Sequence, residues 1–434
     1  MLDFLRKLIS DRNPLRLLWH WAWAVLAAVV YRFPARHLKI IFVTGTKGKT
    51  TTTWSIGSLL QACGVKTAVS TTALYRLGDK VWANESKMTT LGRFGLQKFL
   101  RQAVESGCAV AVVEVSSQAL TQSRLWGVRG IGMVWTNLQN DHLEYHGGWE
   151  NYRAAKGKLL AQVRAGGFAV LNADDAEFGW FAEQAQKYNL KVWSVGEKNA
   201  NYTLKNFVFE ERNLSFEVGD LGRFEANFSG KFNIQNLAEA VLAVRAYGFE
   251  IAKIREILPK IKPVPGRLEV VENPLDLNLC LDFAYTPKAL EEGLKALRAK
   301  MRGGELWVMF GAVAGGRDAR KRPEMGLVAE KLADRVVLTD DDLGPDDDSA
   351  QVIAGIISGF SAEYRAGQKW RQIVPREQAV EFILQNAKKG DWVLFAGKGC
   401  EQVQHFGSRQ RPYNERKVIE ITCAKIKKSI EYKQ

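Results

Sequence analysis

The chain has 434 residues, 46% of them hydrophobic and 25% charged, the make-up of an ordinary globular protein large enough for two or three domains. The balance of 61 Lys and Arg against 47 Asp and Glu gives +14, which suits nucleotides, phosphorylated substrates, nucleic acid or an acidic membrane, and equally a solvated basic surface. Cys63, Cys108, Cys280, Cys400 and Cys423 lie far apart with no CxxC pair, which argues against a zinc ribbon and a disulfide framework and for free thiols in a reducing cytosol.

Residues 1–38 differ from the rest of the chain. The stretch 15–31, LRLLWHWAWAVLAAVVY, is apolar apart from Arg16 and His20 and has basic flanks at Arg6, Lys7, Arg12, Arg32, Arg36 and Lys39. Its uninterrupted part is shorter than a bilayer span, while Trp19, Trp21 and Trp23 suit a membrane interface. Three readings stand: a peripheral or shallow membrane helix, a helix packed on the protein or a partner, and a signal peptide. Export is the weakest, because it would separate the next motif from ATP.

That motif is residues 39–53, KIIFVTGTKGKTTTT, a β-branched strand, a Gly/Thr/Lys loop and then a helical pattern. It reads as a phosphate cradle. Gly45 and Gly48 let backbone N–H groups converge on an anion, Lys49 reaches a β/γ-phosphate, and the Thr50 hydroxyl suits Mg²⁺. Val43 occupies the place of the first glycine in the general GxxxxGK[ST] pattern.

From there to about residue 262 strands and helices alternate, as a parallel sheet with crossover helices requires. A VKTAVSTT strand, the polar Met88-Thr89-Thr90 and a helix over 96–106 precede the strand AVAVVEV, which ends in Glu114-Val115-Ser116-Ser117. A carboxylate at that strand end is placed for Mg²⁺, although the serines would also cap a helix. The strand IGMVWTNL leads to Asn140-Asp141-His142, and Tyr152-Arg153-Ala154-Ala155-Lys156 opens a helix. FAVLNADD is a further strand, 201–230 alternates like β-hairpins, and Asn233 and Asn236 share a helix after Gly230.

Residues 263–267, PVPGR, form the clearest linker. The three segments are therefore 1–38, 39–262 and 263–434. The last is a second α/β unit with strands LCLDFA, ELWVMFGAV, RVVLTD, WRQIV and DWVLFAG, and helices starting near Pro287, Arg322, Ser349 and Arg376. That is a doubly wound, Rossmann-like pattern with ligand sites at its strand ends. Lys425, Lys427, Lys428 and Lys433 read as a loose basic tail.

Taken in order, VTGTKGKTTTT, EVSSQ, TNLQNDHLEYH, NYRAAK, FNIQNLAEA, VPGRLE, DFAYTP, GGRDARKRP and AGKGCE resemble the Mur ligase family, the ATP-dependent amide-bond ligases of peptidoglycan precursor synthesis. The resemblance runs from about Lys39 to the C-terminus and is greatest to the MurE group, which adds a third amino acid, usually a diamino acid, to UDP-N-acetylmuramoyl-L-alanyl-D-glutamate. It implies a P-loop central ATPase domain and a C-terminal α/β domain. It also implies that ATP phosphorylates a substrate carboxylate and that an amine then attacks the acyl phosphate.

By that resemblance Gly45, Thr46, Lys47, Gly48, Lys49, Thr50 and Thr51 hold the triphosphate, and Asn236, Arg267 and Asp282 contact the nucleotide, with domain closure expected to complete the site. Thr50 and Glu114 hold one Mg²⁺ and His142 helps to bind a second; Lys156 matches the family's carbamylated lysine, which acts as or orients a metal ligand. Lys49, Lys156, His142 and Glu114 are thus the expected catalytic set. Thr89, Thr90, Ser116, Gln122 and Arg124 match the muramoyl-dipeptide site, and Arg317, Asp341, Asp342, Gly397 and Glu401 the amino-acid pocket. A cell-wall precursor and an amino acid are the expected partners, nucleic acid is not, and the expected place is the cytoplasm, with residues 15–31 as a candidate contact with the inner face of the membrane.

Three departures qualify the resemblance. Residues 1–38 stand where MurE proteins carry a UDP-binding domain, which puts UDP recognition in question and opens the way to a lipid-linked carrier. Asp341-Asp342-Leu343-Gly344 replaces the Asp-Asn-Pro-Arg of diaminopimelate-selective members, so the arginine for a distal carboxylate is missing. The remaining acidic run suits a distal amine, or else caps a helix or faces water. Tyr285, Gln118 and Cys400 replace family histidines, none an expected metal ligand. The competing readings are a MurT-like ligase, a polyglutamate-type ligase on a lipid-linked or polymeric acceptor, and a membrane-associated P-loop ATPase that makes no bond.

Overall fold

The computed structural model describes residues 13–431 except 85, 87, 140–142, 210–212, 229, 314–318, 320 and 345–346. The chain divides into two compact units, Met1–Pro263 and Val264–Gln434.

The first unit opens with helix α1 (Pro14–Val30), started by Asn13, whose side chain accepts from the Leu15 amide, and by Pro14 in the first turn. One face, with His20, Ala24, Ala27 and Ala28, is buried. The opposite stripe of Leu15, Leu18, Trp19, Ala22, Leu26 and Val29 is equally apolar yet exposed, Leu15 to 75%. Among the described residues no helix is long and apolar enough to cross a membrane.

Strand β1 (Lys39–Thr44) leads through the glycine loop into α2 (Lys49–Ala62), β2 (Thr67–Ser70), β3 (Leu74–Leu77), β4 (Lys80–Ala83), α3 (Arg93–Glu105) and β5 (Val110–Val115). There follow α4 (Ser117–Thr121), β6 (Gly130–Trp135), α5 (Leu143–His146), α6 (Trp149–Gly157), β7 (Val163–Asn172), α7 (Phe178–Lys187) and β8 (Lys191–Gly196). The unit closes with β9 (Tyr202–Phe209), β10 (Leu214–Val218), β11 (Arg223–Ala226), α8 (Phe232–Tyr247) and α9 (Ile251–Ile257).

The strands make one sheet in the order β11-β10-β9-β8-β7-β6-β1-β5-β2-β3-β4, parallel from β9 to β2 and antiparallel toward both edges. Successive side chains of β1 point to opposite faces. Ile40 and Phe42 pack with Leu96, Phe99 and Phe181 of α3 and α7, whereas Ile41 and Val43 pack with Ile56, Leu59, Leu237 and Val241 of α2 and α8. Burial on both faces is why β1 and β5 read as nearly continuous apolar runs, with Glu114 the polar member of β5. In register, Thr44 at the end of β1 sits between Val115 of β5 and Trp135 of β6, so the loops after these three strands share one edge at the point where strand order reverses.

The second unit has β12 (Glu269–Val271), β13 (Asn278–Asp282), α10 (Pro287–Arg298), β14 (Leu306–Phe310), α11 (Lys321–Leu332), β15 (Arg335–Leu338), α12 (Ser349–Ile357), α13 (Ala362–Ala366), β16 (Trp370–Gln372), α14 (Arg376–Asn386) and β17 (Trp392–Ala396). A hairpin of β18 (Val403–Phe406) and β19 (Arg409–Pro412) and the helix α15 (Glu415–Glu431) complete it. Its main sheet runs β12-β13-β17-β14-β15-β16, with only β12 antiparallel to its neighbour. Residues 425, 427 and 428 belong to α15, not to a loose tail, because Ile419 and Cys423, four apart, anchor that helix against Ile383 and Phe395. All five cysteines are free thiols.

Candidate active site

The loop after β1 is shaped by close approach. Gly45 and Gly48 have φ of 152° and 80°, and a Cβ on either would lie 2.0 Å from Thr136 Oγ1 or 2.1 Å from Asn236 Oδ1. The Thr46 and Lys47 amides donate to the Asn137 carbonyl and side-chain oxygens, both at 2.9 Å, which ties the loop to the end of β6. Helix α2 then begins at Gly48 without a side-chain cap, leaving its first N–H groups facing the loop. Lys49 Nζ donates to the Thr46 carbonyl at 2.8 Å, and Thr51 lies in the same first turn of α2.

Glu114, 1% exposed on β5, collects three donors: Thr50 Oγ1 at 3.0 Å, the Thr72 amide at 2.8 Å and Thr72 Oγ1 at 2.9 Å. Across the loop Lys156 of α6 is 2% exposed, with Nζ 2.5 Å from the Gly45 carbonyl and 4.9 Å from the centroid of the Tyr152 ring. The Tyr152 hydroxyl meets Thr46 Oγ1 at 3.1 Å, and His146 Nε2 meets Ser117 Oγ at 2.9 Å. Thr72, Asn137, Tyr152 and His146 lie outside the site residues expected from the motifs. Thr72 in particular carries no local signal, since its partner lies on another strand. His142, with Asn140 and Asp141, lies outside the described residues.

The set Thr90, Ser116, Gln122 and Arg124 converges beside β5. Thr90 Oγ1 donates to the Glu114 carbonyl at 3.1 Å and accepts from the Ser116 amide at 2.9 Å, while half-buried Thr89 precedes it. Ser116 also caps α4 by accepting from the Ala119 amide. Arg124 donates to Gln122 Oε1 through Nε and Nη2 at 3.0 and 2.7 Å, and to the Thr90 carbonyl at 2.6 Å.

Behind the loop Asn236 donates to Asn233 Oδ1 at 3.0 Å and faces Gly48. One turn on, Glu239 is fully buried; burial pushes its carboxyl up to about 8, against hydrogen bonds from Gln235 and Thr52 that favour the charged form. Burial thus favours its protonated form near neutral pH.

In the second unit a Cβ on Gly266 would lie 2.3 Å from the Cys400 amide, which seats the linker's end on the Gly399 turn. Asp282, raised by burial against the opposing pull of Arg267, accepts from the Leu268 amide at 2.7 Å. Asp341, Asp342, Gly397 and Glu401 also come together. Asp340, Asp341 and Asp342 are buried, so the run neither faces water nor caps a helix. Lys398 Nζ lies 2.7 Å from both Asp342 and Glu401 and 3.9 Å from Asp341, and Arg376 pairs with Glu415 at 2.8 Å while standing 4.0 Å from Asp341. Burial opposes the Lys398 charge, but Asp341, Glu401 and Asp342 outweigh it and hold its pKa above lysine's ordinary value. Arg317 lies outside the described residues.

This geometry has close relatives. The sequence pattern of the Mur ligase middle domain matches residues 43–244, and that of the Mur ligase glutamate ligase domain matches 266–399. A Synechococcus elongatus protein named UDP-N-acetylmuramoyl-L-alanyl-D-glutamate–2,6-diaminopimelate ligase is 35% identical over 424 residues, spanning 96% of this chain and 82% of its own. The chain belongs to the Mur ligase family. A Deinococcus radiodurans UDP-N-acetylmuramyl-tripeptide synthetase is 34% identical over 91% of this Mur ligase and 80% of its own length. A solved UDP-N-acetylmuramoyl-L-alanyl-D-glutamate–2,6-diaminopimelate ligase superposes with a TM-score of 0.64 at 30% identity, covering 90% of this chain and 79% of that one. A Mycobacterium tuberculosis folylpolyglutamate synthase reaches 0.67 at 15% identity over 86% and 91% of the two chains, which establishes a common fold alone.

The protein is accordingly an ATP-dependent ligase that forms an amide bond, in a family that uses Mg²⁺. Its residues fit both groups. The glycine cradle that a methyl would fill, opening on an uncapped helix start, suits a triphosphate. Thr50 and Glu114 present adjoining oxygen donors of the kind Mg²⁺ takes.

Proposed function

We propose that this Mur ligase joins an amino acid, a diamino acid, to the free carboxylate of a UDP-muramoyl-dipeptide acceptor through an acyl phosphate. The observation that carries the reading is the meeting, on one sheet edge, of the Thr50–Glu114 pair, Lys156 on the Gly45 carbonyl, and Arg124 on Thr90. In this reading Gly45, Thr46, Lys47, Gly48, Lys49, Thr50 and Thr51 embrace the triphosphate, with Asn236, Arg267 and Asp282 as further nucleotide contacts. Lys49 offsets charge on the transferring phosphoryl group, and Thr90, Ser116, Gln122 and Arg124 orient the acceptor carboxylate toward it. Mg²⁺, two ions in all, supplies charge neutralisation between two anionic reactants. Thr50 and Glu114 would hold one ion and His142 would contribute to the second. Lys156 acts as a carbamate, since reaction of its neutral amine with CO₂ turns a buried cation into an anion. Arg317, Asp341, Asp342, Gly397 and Glu401 form the pocket for the incoming amine.

The test is phosphate release and product mass with ATP, Mg²⁺ and UDP-muramoyl-dipeptide against meso-diaminopimelate, lysine and ornithine in turn. A tripeptide mass with one amine confirms the reaction and identifies the pocket's ligand. No new mass with any of the three refutes the assignment of this acceptor.

A second reading concerns place rather than chemistry. The solvent-facing stripe of α1 lies on the inner face of an anionic membrane, with the enzyme in the cytoplasm. Its support is the exposed Leu15, Leu18, Trp19, Leu26 and Val29 beside exposed Arg32, Arg36 and Lys39, with no acidic residue between Asn13 and Gly78. Flotation with phosphatidylglycerol vesicles tests it: the protein should float, and Leu18→Glu with Leu26→Glu should keep it in the dense fraction. Equal behaviour of the two proteins sinks the idea.

A further inference from the structure

Arg93 opens α3 three residues after Thr90, and its surroundings are unusual for a guanidinium that is half out of water. Its Cζ lies 5.5 Å from the Trp19 ring centroid, its Nη2 contacts Nδ1 of the buried His20, and its Nε is buried without a hydrogen-bond partner among the described residues. Next to Arg93, Phe94 packs edge-on against Trp23 at 5.7 Å, so α1 supplies one wall of this place. Arg124 is the charge that acts on Arg93. It depresses the Arg93 pKa, already lowered by desolvation, to about 10, and Arg124 is itself lowered by desolvation. Arg124 donates to neutral oxygens, on Gln122 and Thr90, and among the described residues no carboxylate pairs with either arginine.

Two partly desolvated guanidiniums with no carboxylate partner among the described residues are costly in a folded protein, and an arriving anion removes that cost. The same chain shows the alternative: Arg376, fully buried, has Glu415 at 2.8 Å. Arg93 also starts a helix whose Gly92 cap offers no side-chain acceptor, which adds positive potential without making the site by itself. Resting on the ligase reading for what Arg124 holds, we propose that Arg93 is an acceptor-binding residue: it joins Arg124 in holding an anionic group, carboxylate or phosphoryl, of the muramoyl-dipeptide substrate against α1. Helix α1 then belongs to the acceptor site, through Trp19 beneath the guanidinium and His20 beside it.

The experiment is titration calorimetry of the full-length protein with UDP-muramoyl-dipeptide, and with the nucleotide-free muramoyl-dipeptide, in the presence of Mg²⁺ and a non-hydrolysable ATP analogue. Binding does not depend on turnover, so failure of ligation and failure of this inference are separable. Arg93→Gln should weaken the acceptor by about tenfold or more, Arg93→Lys should recover part of that, and affinity for the ATP analogue should not move. A tenfold loss with both ligands assigns the group as a carboxylate, and a loss confined to the UDP-linked ligand assigns it as phosphoryl. Trp19→Leu separates binding from tethering: a merely structural Arg93 would share its melting shift with Trp19→Leu and leave acceptor affinity intact. Arg101→Gln, the same charge change on the exposed side of α3, should leave affinity unchanged. Unchanged acceptor affinity in Arg93→Gln, or no acceptor binding by the wild type, overturns the proposal. So does a variant that loses only its flotation with phosphatidylglycerol vesicles, because the anion would then be a lipid headgroup.

Discussion

The two units treat charge in opposite ways. Around β1 and β5 Arg124 donates to neutral oxygens, of Gln122 and Thr90, so its attraction for an anion is little diminished. In the second unit five buried acids, Asp340, Asp341, Asp342, Glu401 and Glu415, crowd around Arg376 and Lys398, and most of that charge is met from within. A charged run in a sequence therefore says little about binding until its partners are known.

The contrast is sharpest at Arg376. Arg376→Met should cost about 3–5 kcal/mol in urea unfolding, because Glu415 and Asp341 lose a compensating guanidinium in a dry place. Adding Glu415→Leu should recover part of that. A loss under about 1 kcal/mol would show that Glu415 and Asp341 do not depend on Arg376 for stability.

Lys156→Ala should behave oppositely, leaving unfolding within about 1 kcal/mol while lowering turnover about a thousandfold, with partial return on adding acetate or formate. Turnover that is unaffected, or loss that no short carboxylate relieves, removes the carbamate role.

Glu239 lies between these extremes. Its folded carboxyl binds a proton up to about pH 8, while the unfolded one releases it near 4.5, so the native state holds the extra proton across that window. Stability should therefore fall as pH rises from about 4.5 to 8, and Glu239→Gln should flatten that slope and melt higher at pH 8. An identical pH profile in the variant would place the proton elsewhere. At the small end, Arg101→Gln breaks only an exposed pair with Glu105 and should move stability by about 0.3–0.5 kcal/mol.

Much of the architecture was legible because buried parallel strands announce themselves as apolar runs; β1, β5, β14 and β17 all lie within the apolar stretches that mark them. The hairpin β18–β19 was not, since most of its paired residues are polar and follow no alternation. Helix α15 was hidden because its lysines are interleaved with the few residues, Ile419 and Cys423 among them, that bury it. The same limit applies to the site. A motif marks Thr50 and Glu114, but that Thr72 braces Glu114, or that Lys398 neutralises Asp342, depends on partners remote in sequence. The apolar stretch 15–31 left open whether it packs on the protein or on something else, and α1 is apolar on both sides, with one face packed and the other bare.

The contact of Gly48 with Asn236 has a dynamic consequence. With no room there for a methyl group, the loop cannot tighten without pressing on the first turns of α8, nor loosen without freeing them. Occupancy of the loop should thus be readable at a distance: amide protons at the start of α8 should exchange more slowly with solvent when nucleotide is bound, while those of α15, which is anchored within the other unit, keep their rates.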